Sequence, residues 1–247
     1  MRSEEYRAMF DLEDRLWWYQ GMRAVTASIL TGSLRETESL RLLDVGCGTG
    51  FSLTWLRERF TTCEAFGVDV SPHAAAFWRQ RELDTAAVAS ATALPFAAGA
   101  FDLVTCFDVI YQLTPEGANA AAAETFRVLR PGGFLFIREP AYEWLRGKHD
   151  IAVGTHHRYT LAELRRLLSR HGFVARRATY ANTLLFGAAV PHRLLSRLKG
   201  GTGSDVKPVP EWMNRAMVAA LRLEARLLAR LTFPFGLSAI VLAQKPE

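Results

Sequence analysis

Short apolar runs and longer amphipathic stretches alternate along most of the 247-residue chain. Residues 41–46 form the first buried run, and Phe51, Leu53, Trp55 and Leu56 mark a helix over 51–60. The pattern then predicts strands at 65–69, 86–90, 101–107, 134–138 and 173–180, separated by helices at 72–83, 115–130 and 160–171. Thr114-Pro115 supplies a capping side chain and a first-turn proline, and Thr160 with Glu163 has the capping-box spacing. A last apolar run, 237–243, predicts a final strand. Strands and helices in alternation imply an α/β architecture with a largely parallel sheet covered on both faces. Ahead of it, residues 3–20 read as one helix with Tyr6, Phe10 and Trp17 near one face, and 21–32 as a second helix.

The first strand and its helix are joined by Asp44-Val45-Gly46-Cys47-Gly48-Thr49-Gly50. Glycine is needed where the backbone takes positive φ or lets a ligand lie against it. Such a strand-to-helix turn, at the carboxyl edge of a parallel sheet, is where α/β folds bind nucleotides. A dinucleotide fingerprint would place Gly or Ala at the sixth position, which here is Phe51. The sequence G-x-G-x-G preceded by Asp44 instead resembles motif I of the class I S-adenosylmethionine (SAM)-dependent methyltransferases of the small-molecule type.

Further motifs agree with that resemblance in order and spacing over about 140 residues. Asp69 closes the second strand 19 residues after Gly50, with Val70 beside it. A carboxylate there can accept both ribose hydroxyls of the adenosine; it also stands where a cap for the Ser71-Pro72 helix start would. Ala89–Phe96 is similar to the family's G-D-A-x-x-L-P-F stretch, with Ser90 where an Asp usually accepts from the adenine amino group. The resemblance therefore implies a modified adenine contact through Ser90, the Ala91 N–H and Thr92, a hydroxyl being a neutral and weaker acceptor. Phe101-Asp102-Leu103-Val104 resembles the family's F-D-L-V, which places the backbone around Phe107 and Asp108 near the methionine end of the cofactor. Gln112 stands where the family's L-E-H-L has its His, and an amide is no base. Leu129-Arg130-Pro131-Gly132-Gly133 matches the L-(K/R)-P-G-G turn. The resemblance implies a Rossmann-like, doubly wound, seven-stranded mixed sheet with its last strand antiparallel. It also implies SAM as cofactor and S-adenosylhomocysteine (SAH) as product.

Methyl transfer from SAM is an in-line displacement at a carbon already activated by the sulfonium, so placement of the nucleophile dominates. A hydroxyl or acidic-carbon acceptor adds the need for a base, and histidine is the best matched near neutral pH. His156 and His157, in the loop after the fifth strand, and Tyr111 are the candidate bases; paired loop histidines are also commonly solvated or bonded to backbone. Residues 13–19 resemble the lid helices of related methyltransferases. Trp17, Trp18 and Tyr19 from that segment, with Tyr142 and Arg158 from the loop, are the expected acceptor contacts. Two adjacent histidines without a third ligand do not make a metal site, so no metal is expected. The acceptor is expected to be a small molecule, hydrophobic or lipid-linked in one reading. A nicotinamide-dependent oxidoreductase is a second reading of the same turn, opposed by Asp44, Phe51 and the L-R-P-G-G turn. A non-catalytic SAM-binding regulatory or partner module is a third, separable by turnover.

The chain reads as one domain, 1–247: a helical lid at 1–35, a SAM-binding core at 40–181, a helical insertion at 182–232 and the final strand in 233–247. The net charge of +5 is local: residues 182–232 hold eight basic and three acidic side chains, while the remainder balances at 22 of each. In the family a short loop joins the last two strands; here about 55 residues intervene on the ligand side of the sheet, where they are expected to roof the acceptor pocket. Two helical patterns, 182–199 (interrupted by Pro191) and 211–231, flank a Gly-rich loop at 200–208. Arg215, Arg222, Arg226 and Arg230 share one face of the second. Three readings stay open: a helical cap with a solvated basic face, a helix lying on anionic lipid, or capture of an anionic substrate or nucleic acid. Nucleic acid comes last, because no RNA-binding module is present and aromatics do not interleave with the basic residues. Cys47, Cys63 and Cys106 have no metal spacing, and no long apolar run or apolar signal core is present. A reduced, cytoplasmic chain, peripheral to the inner membrane face in the lipid reading, is expected as a monomer or homodimer.

Overall fold

The computed structural model describes residues 3–31, 39–60, 63–191 and 208–247. Seven strands form a mixed sheet in the order β3-β2-β1-β4-β5-β7-β6. They are β1 (Leu40–Val45), β2 (Cys63–Asp69), β3 (Ala86–Val88), β4 (Phe101–Phe107), β5 (Leu129–Pro140), β6 (Val174–Ala181) and β7 (Ser238–Gln244). β1 to β5 pair in parallel, and β7 runs antiparallel between β5 and β6. The topology is the expected one.

Side chains alternate across the sheet, so each strand feeds two cores. Leu43, Val45, Val104, Leu135, Ile137 and Val241 pack with α5 (Pro115–Val128) and α7 (Leu161–Arg170). Leu42, Leu103, Phe136, Ile240 and Leu242 face the other way. They meet α2 (Trp17–Thr31), α3 (Phe51–Arg59), α4 (Ala75–Gln80) and the Ala225–Leu228 end of the insertion helix. Burial on both faces is what makes these strands read as continuous apolar runs.

Several elements depart from the pattern. The stretch 3–20 is not one helix: α1 (Ser3–Leu12) ends, and the chain turns at 13–16 before α2 begins at Trp17. Leu12, Glu13 and Leu16 are buried at this turn. The L-R-P-G-G segment is a bulge within β5: pairing jumps from Phe101↔Leu129 to Leu103↔Phe134. The loop after β5 is structured, with a 3₁₀ turn (Glu143–Leu145) and α6 (Lys148–Val153).

The insertion is described in two parts, α8 over 186–191 and α9 (Glu211–Leu228). Residues 192–207, with the 192–199 part of the first helical pattern and nearly all of the Gly-rich loop, lie outside the described residues, as do 32–38, which include the end of the lid. α9 is laid along α2. The Asn214 side chain accepts from the Trp17 N–H (2.8 Å) and donates to the Arg15 carbonyl (2.9 Å), fastening the α1–α2 junction. At the other end, buried Glu224 accepts from the N–H groups of Asn182 (2.6 Å) and Leu184 (2.9 Å) at the exit of β6.

Candidate cofactor and acceptor site

Gly46, Gly48 and Gly50 all have positive φ (76°, 54° and 85°), so the turn that follows β1 closes only with glycine. Gly46 and Cys47 donate to the Val68 carbonyl of β2 at 2.7 and 2.9 Å, which fixes the turn to the neighbouring strand. A Cβ at Gly46 would lie 2.2 Å from a Val109 methyl, so the β4 exit also presses on it.

Two carboxylates bracket the turn. Asp44 is buried near the carboxyl end of β1; Oδ1 accepts from the Thr105 hydroxyl (2.7 Å), and buried Oδ2 has no hydrogen-bond partner among the described residues. Burial raises its carboxyl to about 7, against the Thr105 hydrogen bond and the Arg138 charge, which lower it. Asp69 sits at the end of β2. Its Oδ2 accepts from the Gly48 N–H (3.0 Å), and its Oδ1 from the Tyr6 hydroxyl (2.7 Å) and the Ser71 N–H (2.9 Å). Asp69 therefore takes the turn-capping role; Val70 beside it is exposed. A glycine cradle plus a buried, orphaned carboxylate oxygen fits a ligand that carries cationic groups and lies against backbone, which describes SAM.

Sequence reasoning missed how closely α1 covers this turn. Besides Tyr6 on Asp69, the Met9 Cε lies 3.7 Å from where a Gly48 Cβ would be. Glu13 is buried, accepting from the Thr49 hydroxyl (2.7 and 2.6 Å to its two oxygens) and pairing with Arg81 at 2.6 Å. Trp78 of α4 donates to the Gly48 carbonyl at 2.8 Å. The apolar spacing of Tyr6 and Phe10 pointed to a packed helix, but nothing local marked a phenol or a carboxylate aimed at the motif.

The other expected cofactor residues line the adjoining strand exits. Ser90 and Thr92 share a hydroxyl contact of 2.8 Å, and the Thr92 N–H donates to Ser90 Oγ at 3.2 Å; Ala91 is half-buried between them. After β4, Phe107 is half-buried and Asp108 adopts positive φ (57°) with its carboxylate paired to Arg138. The Arg138 guanidinium lies over the rings of Trp18 (4.8 Å) and Phe107 (4.9 Å), joining α2 to the β4 exit. Tyr19 meets Phe51 edge-on at 6.4 Å, and burial raises its phenol.

Glu139 organises the candidate catalytic residues. It is fully buried at the end of β5 and accepts from the N–H groups of Val109 (3.2 Å), Ile110 (3.0 Å) and Tyr111 (3.2 Å). Desolvation holds its carboxyl well above the usual range. The Tyr111 carbonyl in turn accepts from the N–H groups of His156 (2.8 Å) and His157 (3.1 Å), so residues 45 positions apart meet. Tyr111 is itself buried; its hydroxyl accepts from Gln112 at 3.1 Å, and desolvation raises its phenol. His156 is exposed. The His157 ring lies 3.3 Å from Glu163 and 3.6 Å from Glu143. Arg158, expected to meet the acceptor, is instead buried, with its guanidinium on Asp150 (2.8 and 3.0 Å) and the Ala141 carbonyl (3.0 Å). A charge committed that deeply braces the loop rather than facing a ligand. Tyr142, at positive φ (59°), stacks between Trp144 (5.7 Å) and Tyr180 (5.1 Å), with Phe186 edge-on at 6.3 Å.

A methyltransferase-domain family model matches residues 43–137. The malonyl-[acyl-carrier protein] O-methyltransferase of Geobacter sulfurreducens is 30% identical over 188 residues, 68% of this chain and 69% of that protein. The demethylmenaquinone methyltransferase of Beutenbergia cavernae is 37% identical over 127 residues, 51% of this chain and 48% of that protein. The chain thus spans about half the length of the demethylmenaquinone methyltransferases it matches. Geranyl diphosphate C-methyltransferase of Streptomyces coelicolor, solved with Mg²⁺, a geranyl-S-thiolodiphosphate and SAH, shares the fold. Its TM-score is 0.59 at 16% identity, over 89% of this chain and 75% of that one. The chain belongs to the class I SAM-dependent methyltransferases. That membership removes the nicotinamide reading of the glycine turn.

Proposed function

We propose that the chain transfers the methyl group of SAM to a small-molecule acceptor that is hydrophobic or lipid-linked. The observation that carries this is the glycine turn with Asp44 and Asp69 on either side, one with an orphaned buried oxygen and one at the end of β2. In this reading Asp44 answers the positive charge of the cofactor and Asp69 its ribose. Ser90, Ala91 and Thr92 meet the adenine, and the backbone at Phe107 and Asp108 holds the methionine end. Bound SAM supplies a methyl on an activated sulfonium; the protein's own task is to align the acceptor and exclude water.

The names of its relatives, demethylmenaquinone and malonyl-[acyl-carrier protein] methyltransferases, support an acceptor with an apolar or carrier-linked body. So does the aromatic group of Tyr142, Trp144, Tyr180 and Phe186 at the exits of β5 and β6. Trp17, Trp18 and Tyr19 on α2 complete the acceptor side in this reading. An acceptor of that kind also favours peripheral contact with an anionic membrane surface. For proton removal we assign His156, whose ring is exposed, ahead of His157, which stands between two carboxylates. Tyr111, with a raised phenol, suits hydrogen-bond donation rather than a base.

The test is calorimetric titration of the purified protein with SAH, followed by turnover on quinol and thioester acceptors by wild type and the His156→Ala/His157→Ala variant. Saturable SAH binding by both proteins and reduced turnover in the variant are expected. Absence of SAH binding rejects the cofactor assignment; full turnover in the variant rejects the base.

A further inference from the structure

The inner face of α9 is used up by the fold: Val218, Leu221, Glu224, Ala225 and Leu228 are buried. Its outer face is unusual for a solvated helix. Trp212 is 70% exposed and Leu223 51%, and Leu231 just beyond the helix is 53% exposed. Arg215, Arg222 and Arg226 are exposed on the adjoining side of the same face, and Arg230 follows in the turn. Helical spacing interleaves these residues: Trp212, Ala219, Leu223 and Arg226 project outward together. The two acids of α9 do not neutralise the face, because Glu224 points inward and Glu211 is taken by Arg215 at 3.0 Å. Among the described residues no ion pair engages Arg222, Arg226 or Arg230.

We propose that the outer face of α9 is a docking surface for an anionic lipid bilayer. The occupant follows from charge and shape. A convex helix with a tryptophan and leucines beside a row of arginines matches a headgroup layer, where apolar side chains dip toward the acyl boundary and guanidinium groups stay with the phosphates. Tryptophan is itself favoured at that depth, where its ring is half wet. No described helix is long and apolar enough to cross a membrane, so the contact is peripheral. α9 is also anchored rigidly enough to transmit it. Its Asn214 holds the α1–α2 junction and its Glu224 holds the β6 exit, so the docked helix carries the covering helices of the glycine turn with it. The proposal rests on α9 itself and not on the acceptor assignment.

Co-sedimentation with phosphatidylcholine vesicles, with and without about one quarter phosphatidylserine, tests this in the absence of SAM and acceptor. Wild type should pellet with the anionic vesicles at low salt, not with neutral ones, and be released by added salt. Arg222→Gln/Arg226→Gln should bind about fivefold more weakly for each arginine removed. Trp212→Ser/Leu223→Ser should also bind more weakly, and both variants should keep the wild-type circular dichroism and melting temperature. Failure of wild type to pellet overturns the proposal. So does undiminished binding in either variant pair, equal binding to neutral vesicles, or capture of duplex oligonucleotide without vesicle binding. Because no cofactor or acceptor is present, these outcomes are distinguishable from a failure of the methyl-transfer reading.

Discussion

Burial raises the Asp44 carboxyl to about 7, and its Oδ2 has no hydrogen-bond partner among the described residues. In the free protein it is therefore protonated below about pH 7. If the cationic cofactor is held by the carboxylate form, each proton taken up must be released on binding. Affinity for SAH, which lacks the sulfonium but keeps the cofactor's α-ammonium cation, should then fall as pH drops from 7.5 to 5.5, approaching tenfold per pH unit well below the carboxyl's own value. Asp44→Asn should bind more weakly at pH 7.5 and lose this dependence. Isothermal titration across the pH range checks it; a flat wild-type profile would show that Asp44 does not face the cation. Asp44 and the three glycines were legible because their roles are local: a strand end, a turn and positive φ. Tyr6 and Glu13 were not, because their partners lie 63 and 36 residues along the chain. The burial of Arg158 against Asp150 and the Ala141 carbonyl was not legible either: residue type and loop position cannot tell a buried brace from a ligand contact.

At the scale of elements, the join between α2 and α9 depends on one missing side chain. Glycine inside a helix ordinarily costs about 0.5–1 kcal/mol relative to alanine. Gly21→Ala should nevertheless destabilise, because the added Cβ would lie 2.1 Å from Leu221 Cδ1 and 2.6 Å from its Cβ. Overpacking of this kind costs about 1–3 kcal/mol. Leu221→Ala alone, at a fully buried position, should cost about 2–5 kcal/mol. In the double variant the new methyl occupies part of the cavity, so the combined loss should be less than the sum. Urea denaturation of the four proteins measures the coupling; strict additivity would mean that the two helices do not meet at this point. The core strands were readable from periodicity, since parallel strands buried on both sides are apolar throughout. The break at 13–16 and the pairing of α2 with α9 were not, because they depend on contacts between segments about 200 residues apart. The structured loop after β5 escaped notice for a related reason. Its 3₁₀ turn and α6 are too short to have a period, and they are held by Glu143, Asp150 and Arg158 instead.

For the whole molecule, buried acids set how stability responds to pH. Glu13, Asp44, Glu139 and Glu224 are all held above their ordinary range by desolvation. A carboxyl whose value is raised on folding binds its proton more tightly in the native state, so native protein carries more protons than unfolded chain across that window. Stability then falls as pH rises. For Asp44 the window runs from the ordinary 3.8 to about 7. Glu139 acts in the same direction, its three N–H donors only partly offsetting burial. Glu124, Glu143 and Glu163 lie nearer the surface and are held below their usual range. Their smaller, solvent-screened contributions are lost as pH falls into the ordinary carboxylate range, forming the acid limb. The free protein should thus melt highest on the mildly acidic side and lose stability as pH rises toward about 7, at up to about 1.4 kcal/mol per pH unit for each titrating acid. Asp44→Asn should flatten this slope below about pH 7. Saturating SAH should flatten it too, because a ligand that prefers the ionised carboxyl stabilises more strongly as pH rises. Scanning calorimetry with and without SAH measures both trends. A free-protein melting temperature that climbs between about pH 5 and pH 7 would mean that these acids are ionised at little cost, and that the site is wetter than its burial implies.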